Sequence, residues 1–231
     1  MNAFSHQFRD RRHAGRILAS QMEHYRDRPH LLVLALPRGG VPVAFEVAHA
    51  LGALLDIFLV RKLGFPGQEE VAMGAIASGG VRVMNPLPTH SIAPETLRQV
   101  VAREEVELER RELAYRGERP AISIEGRTVI VVDDGLATGA SMQAALTGIR
   151  QMRPAQLSVA VPVGAPAACG ELREKADEVV CALMPEPLRS VGQWYEDFTQ
   201  VSDEEVKVLL DEARRGHAQL LRRLHDGGVA R

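Results

Sequence analysis

The chain reads as an α/β domain built on a parallel sheet with helices on both faces. Three observations predict this. Short apolar runs alternate with segments of helical apolar spacing from Leu31 to Leu224. The apolar runs are nearly continuous, as strands buried on both faces must be. Several end in Gly-rich or charged loops, at Arg38, Arg61-Lys62 and Asp133-Asp134, and ligands of such sheets bind beyond the strand C-termini.

The elements follow in order. Residues 1–28 form an N-terminal helical segment. Leu31–Leu36 is a short strand ended by Pro37-Arg38-Gly39-Gly40. Val43, Phe45, Val47, Ala48 and Leu51 fall at helical spacing, with Gly52 as a stop signal. A second strand spans Asp56 to Leu63, followed by a Gly/Pro loop over 64–70. Ala72–Ala77 and Val81–Met84 form a strand pair turned by Ser78-Gly79-Gly80. Residues 94–117 are a charged helix with Glu107/Arg111 and Glu112/Arg116 as i,i+4 pairs. Its Leu97, Val101, Leu108 and Tyr115 share a face. It suits a solvated surface helix or, alternatively, a dimer or hood element. Strands at 127–132, 157–163 and 178–184 alternate with helices at 141–152 and 166–176. A C-terminal helix over 201–224 opens with Ser202-Asp203-Glu204-Glu205, a cap and an acidic first turn.

At 231 residues, 45% hydrophobic and 25% charged, the chain can bury a full core as a single domain, with residues 186–231 as a hood segment and C-terminal helix. A formal net charge of −2 gives no case for nucleic acid or an anionic membrane. No apolar window is long enough to span a bilayer, and the first ten residues are too polar for a signal peptide. Cys169 and Cys181 make no disulfide framework, which fits a reducing cytoplasm. The eight histidines show no metal-ligand spacing.

The most informative stretch is Val129-Ile130-Val131-Val132 running into Asp133-Asp134 and then Gly135-Leu136-Ala137-Thr138-Gly139-Ala140-Ser141. A buried strand, a small-residue loop and a helix start make a phosphate cradle. Gly135 and Gly139 allow close approach, and Thr138 and Ser141 add hydroxyl donors. A loop for phosphate alone avoids two negative charges. Carboxylates there accept hydrogen bonds from vicinal sugar hydroxyls, so the pattern points to a ribose 5-phosphate. An ordinary strand-to-helix turn with an Asp cap needs only one Asp.

Two further clusters suit anions. Pro37-Arg38-Gly39-Gly40 is a second strand-to-helix loop, and Arg38 offers a planar fork for phosphate oxygens. A tight turn would also use these residues. Arg61-Lys62 places two cations together, which repel unless an anion sits between them; an exposed basic pair on a hairpin is the alternative. Ser190 to Phe198 holds Trp194, the single tryptophan, and Tyr195. These rings suit stacking on a flat base or closing a small core.

The 129–141 segment resembles the phosphoribosyl-pyrophosphate (PRPP) signature of the type I phosphoribosyltransferases. The 37–40 loop resembles that family's pyrophosphate loop, where an unusual backbone conformation is common. The 60–70 stretch resembles its flexible loop, and the Trp194 region loosely resembles its hood. The resemblance covers about residues 31–198. It implies the type I phosphoribosyltransferase fold and Mg²⁺-dependent transfer from PRPP to a small nitrogenous base, with pyrophosphate released. Gly135 to Ser141 would grip the 5′-phosphate. Asp133 and Asp134 would hold the ribose hydroxyls and Mg²⁺, directly or through water. Pro37, Arg38, Gly39, Gly40, Arg61 and Lys62 would meet pyrophosphate. Arg61 and Lys62 would act in catalysis, with Glu69 or Glu70 supplying acid–base function. Ala137 stands where 6-oxopurine enzymes carry an Asp, so the loop looks more like the adenine type without identifying the base. Partners expected are PRPP, a base and a second copy of the chain, with no nucleic acid or membrane. A non-catalytic PRPP- or nucleotide-binding regulator on the same fold is the alternative.

Overall fold

The computed structural model describes residues 7–84 and 92–227. Residues 1–6 and 228–231, the outer ends of the expected terminal segments, lie outside them. Five strands form one parallel sheet: β1 (Leu31–Ala35), β2 (Leu54–Ile57), β6 (Thr128–Val132), β7 (Gln156–Val163) and β8 (Glu178–Leu183), in the order β2-β1-β6-β7-β8. Alternation along each strand feeds two cores. Leu31, Val33, Ala35, Ile130 and Val132 pack with helices α1 (Arg11–Ser20), α2 (Gly40–Leu51), α3 (Pro94–Arg116) and α6 (Asp203–Gly227). Leu32, Leu34, Val129 and Val131 pack with α4 (Ala140–Gln151) and α5 (Pro166–Leu172). The sheet is therefore covered on both faces, as its apolar strands require.

The chain leaves β1 toward β2 on one side, while β6 pairs with β1 on the other. This reversal of strand order opens a crevice between β1 and β6, where loops beyond the strand ends diverge and leave room for a ligand.

One sequence expectation is corrected. The stretch from Asp56 to Leu63 is not a single strand. β2 stops at Ile57, and β3 (Val60–Phe65) begins a separate antiparallel sheet with β4 (Gln68–Ala77) and β5 (Val81–Met84). The break is built by polar pairing. Asp56 is buried and accepts from Arg116 Nε at 2.7 Å, and the Ser78 hydroxyl accepts from the Leu59 N–H at 2.9 Å. Arg61 and Lys62 thus lie on a hairpin and not at the end of a central strand. The expected 64–70 loop is reduced to the tight connection between β3 and β4.

The 94–117 helix is no bare surface element. Val101, Leu108 and Tyr115 are buried in the core shared with α2 and α6. Its Glu107–Arg111 and Glu112–Arg116 pairs form at 2.7 and 3.2 Å. Ser202 caps α6, its hydroxyl accepting from the Glu205 N–H at 3.0 Å. Ser202→Ala is expected to cost about 1 kcal/mol, read as a lower urea midpoint with unchanged slope.

Candidate functional site

The site grows from the register between β1 and β6. Ala35 lies beside Val132, so the loops leaving these strands start side by side. Leu36 extends the pairing, its N–H donating to the Val132 carbonyl at 2.9 Å. The chain then turns through a cis Pro37–Arg38 peptide bond, and Gly40 opens α2. The two loops touch. A Cβ on Gly39 would stand 2.0 Å from Asp134 Oδ2, and one on Gly40 would stand 2.7 Å from the Val132 carbonyl. Gly39 has φ −59°, open to any residue, so contact and not backbone conformation demands glycine there.

Beyond β6, Leu136 anchors the second loop. It is buried, donates to the Val163 carbonyl at 2.9 Å, and accepts from the Ala165 N–H at 2.8 Å. Gly139 adopts φ 71° immediately before α4. Ala137, Thr138, Ala140 and Ser141 are exposed around that helix start. The first N–H groups of a helix lack intrahelical partners and carry the positive end of its dipole, so this turn presents an anion-binding surface.

The two acids differ. Asp134 is held on three sides. Its Oδ2 accepts from Arg11 Nε at 2.8 Å, the same oxygen faces Gly39, and its carbonyl accepts from the Tyr195 hydroxyl at 2.6 Å. Asp133 accepts only the Asp134 N–H, at 2.8 Å, and makes no ion pair among the described residues. Burial first, and the Asp134 charge second, push the Asp133 carboxyl well above the ordinary carboxylate range. Asp134 is also raised, because burial outweighs Arg11. A half-buried acid beside a like charge is short of positive partners. This donor set fits sugar hydroxyls or a hard cation.

Arg11 is the residue that sequence reasoning missed. It lies in α1, outside the motif-bearing region, and is buried beside an exposed Arg12. The available signal was Asp10 as a helix cap, accepting from the His13 N–H at 2.7 Å, which sets the helical phase that turns Arg11 inward.

The other sequence candidates are placed as follows. Arg38 is partly exposed, 3.5 Å from Asp203 Oδ1 at the start of α6, and the Tyr115 hydroxyl donates to that same oxygen at 2.8 Å. Arg61 turns toward α3, its Nε 3.0 Å from the buried Glu104 carboxylate, so an internal acid meets one of the two adjacent cations. Lys62 lines a cavity of about 410 Å³ between the hairpin and α4, whose other wall includes Ser141, Thr147 and Lys175. Glu69 and Glu70 belong to β4, and their side chains lie outside the described residues. Tyr195 is buried, its ring 5.4 Å from Phe8 and 5.0 Å from Phe198, and Trp194 packs partly buried on the same small core.

A family model described as the phosphoribosyl transferase domain matches residues 8–189. A Mycobacterium tuberculosis protein, provisionally named a phosphoribosyl transferase, is 44% identical over 215 residues, which is 92% of this chain and 48% of that protein. The chain spans about half the length of the curated relatives of that name. The Chloroflexus aurantiacus bifunctional protein PyrR is 32% identical over 134 residues, 54% of this chain and 65% of that one. A Thermus thermophilus protein of known structure is 45% identical with a TM-score of 0.79, covering 89% of this chain and 98% of its own.

Proposed function

The chain belongs to the phosphoribosyl transferase domain family, and from that premise we propose that it transfers the phosphoribosyl group of PRPP to a small nitrogenous base, releasing pyrophosphate. The observation that carries this reading is the contact between the 37–40 and 133–141 loops, with Gly39 packed against Asp134. One anion-binding loop alone would suit many ligands. Two in contact, with an acid between them that has no cationic partner among the described residues, suit a sugar carrying phosphate at one end and pyrophosphate at the other.

The chain's residues divide the work. The turn from Gly135 to Ser141, with Ala137, Thr138, Ala140 and Ser141 exposed, holds the 5′-phosphate, and Asp133 accepts from the ribose hydroxyls. Pro37, Arg38, Gly39 and Gly40 receive the pyrophosphate end, with Arg61 and Lys62 on the hairpin as further cations. Displacing a polyanion at the anomeric carbon needs this positive surround and exclusion of water, so that the base attacks. Mg²⁺, held at Asp133 and Asp134 directly or through water, would neutralise the pyrophosphate. Glu69 or Glu70 is the proposed acid–base group and Trp194, packed beside the buried Tyr195, the proposed base contact. A cytoplasmic homodimer completes the reading.

The test is pyrophosphate release from PRPP and Mg²⁺ across a panel of purine and pyrimidine bases. Release with one base establishes turnover and names the acceptor. Tight PRPP binding with no release from any base would favour a regulatory PRPP-binding protein. Absence of PRPP binding would refute both.

A further inference from the structure

Arg11 is held by four different groups at once. Its Nε donates to Asp134 Oδ2 at 2.8 Å, and its Nη1 donates to the Thr199 carbonyl at 2.8 Å. Its guanidinium lies over the Phe198 ring at 3.8 Å and the Tyr195 ring at 5.9 Å. Both Arg11 and Asp134 are shielded, with side chains 10% and 16% exposed. The rings and the carbonyl belong to the segment after β8, which also pairs with the N-terminus through the Phe8–Tyr195 bridge. Arg11 therefore ties three pieces of chain together: α1, the 194–199 segment and the loop after β6. A planar five-donor cation is the side chain able to stack on a ring while donating in two directions.

The tie sets where Asp134 stands. Its carboxylate is fixed between Arg11 and Gly39, and its carbonyl is fixed by Tyr195. Asp133, one residue earlier, has no such tether among the described residues. The acids are not two copies of one function. One is tied to Arg11 and the other has no cationic partner among the described residues.

We propose that Arg11 is a positioning residue for donor binding: it holds Asp134 as a brace between the two loops and leaves Asp133 as the carboxylate that meets the ribose. This rests on reading the site as a PRPP site. Without Arg11, Asp134 becomes a second acid with no positive partner, beside a polyanionic ligand, and the loop loses its link to the 194–199 segment.

Calorimetric titration of PRPP with Mg²⁺ into the full chain tests this through a double-mutant cycle. Arg11→Gln is expected to weaken binding roughly tenfold, or 1.4 kcal/mol. Arg11→Lys, which keeps the charge beside Asp134 but loses the stack and the second donor, is expected to lose less, about threefold. In an Asp134→Asn background the further effect of Arg11→Gln is expected to fall below about twofold, since the group it acts through is neutral. A merely structural Arg11 would not spare the lysine variant or depend on Asp134. If Arg11→Gln does not fold, Arg11→Lys carries the same cycle, its smaller loss vanishing in Asp134→Asn. Unaltered affinity in both arginine variants, or losses that multiply with Asp134→Asn, would overturn the proposal while leaving the PRPP reading intact. Absence of binding by the parent chain would instead remove that reading.

Discussion

Asp133→Asn is expected to raise the thermal midpoint of the free protein and at the same time weaken PRPP binding about 100-fold. The two effects share one cause. Asp133 is a half-buried acid next to Asp134, with no ion pair among the described residues, and both desolvation and the neighbouring charge lift its carboxyl well above the ordinary value of 3.8. The folded chain therefore holds a proton there that the unfolded chain releases. The stability that this proton gives is fully present below about pH 3.8. It is lost as pH rises through the higher folded value. Above that range the free protein carries the cost of an acid short of positive partners, which its ligand would relieve. Asparagine keeps the acceptor for the Asp134 N–H and removes the charge. A gain on the order of 1 kcal/mol, or ~2–4 °C, is expected near pH 7.5, vanishing in acid. PRPP affinity should fall by about two orders of magnitude, as loss of a charge-assisted contact in a positioned site does. Scanning calorimetry of both proteins between pH 4 and 8 checks the first half, and titration with PRPP and Mg²⁺ the second. A variant less stable than the parent across that range would show that Asp133 is satisfied by the fold.

Gly39→Ala is the second large effect. The new Cβ would sit 2.0 Å from Asp134 Oδ2, well inside contact. The acid cannot swing aside cheaply, because Arg11 holds its carboxylate and Tyr195 its carbonyl. The loops must part, at ~1–3 kcal/mol for overpacking, and a displacement of this size at a positioned site can cost about 100-fold in affinity. Gly39 sits at an ordinary φ, so strain in the backbone plays no part. Gly170→Ala, inside α5 with no atom within 4 Å of the added carbon, serves as control and should leave binding unchanged and raise stability by up to about 1 kcal/mol. Equal behaviour of the two variants in unfolding and in PRPP titration would mean that the loops do not bear on one another.

Much of the fold was legible because its signals are local. Four apolar residues before Asp133 make a strand wherever they pack, and Gly52 and Ser202 mark helix ends by backbone chemistry alone. The strand break at Phe58-Leu59 was not legible, since it depends on Ser78 and Arg116, 19 and 60 residues from the positions they hold. The same distance hid the partners of Arg38 and Arg61, which are acids on α6 and α3. Adjacent basic residues announce a need for negative charge, but not which carboxylate meets it.

The sequence by itself determined the parallel sheet, the two Gly-rich loops and the pair of acids, because periodicity and short motifs carry these within a few residues. Tertiary structure alone decided that β1 and β6 are neighbours, that Gly39 packs on Asp134, and that Arg11 occupies one acid while leaving the other open. The physical reason is that a carboxylate's role is set by what surrounds it. Arg11 lies 123 residues from Asp134 in sequence and 2.8 Å from it in space.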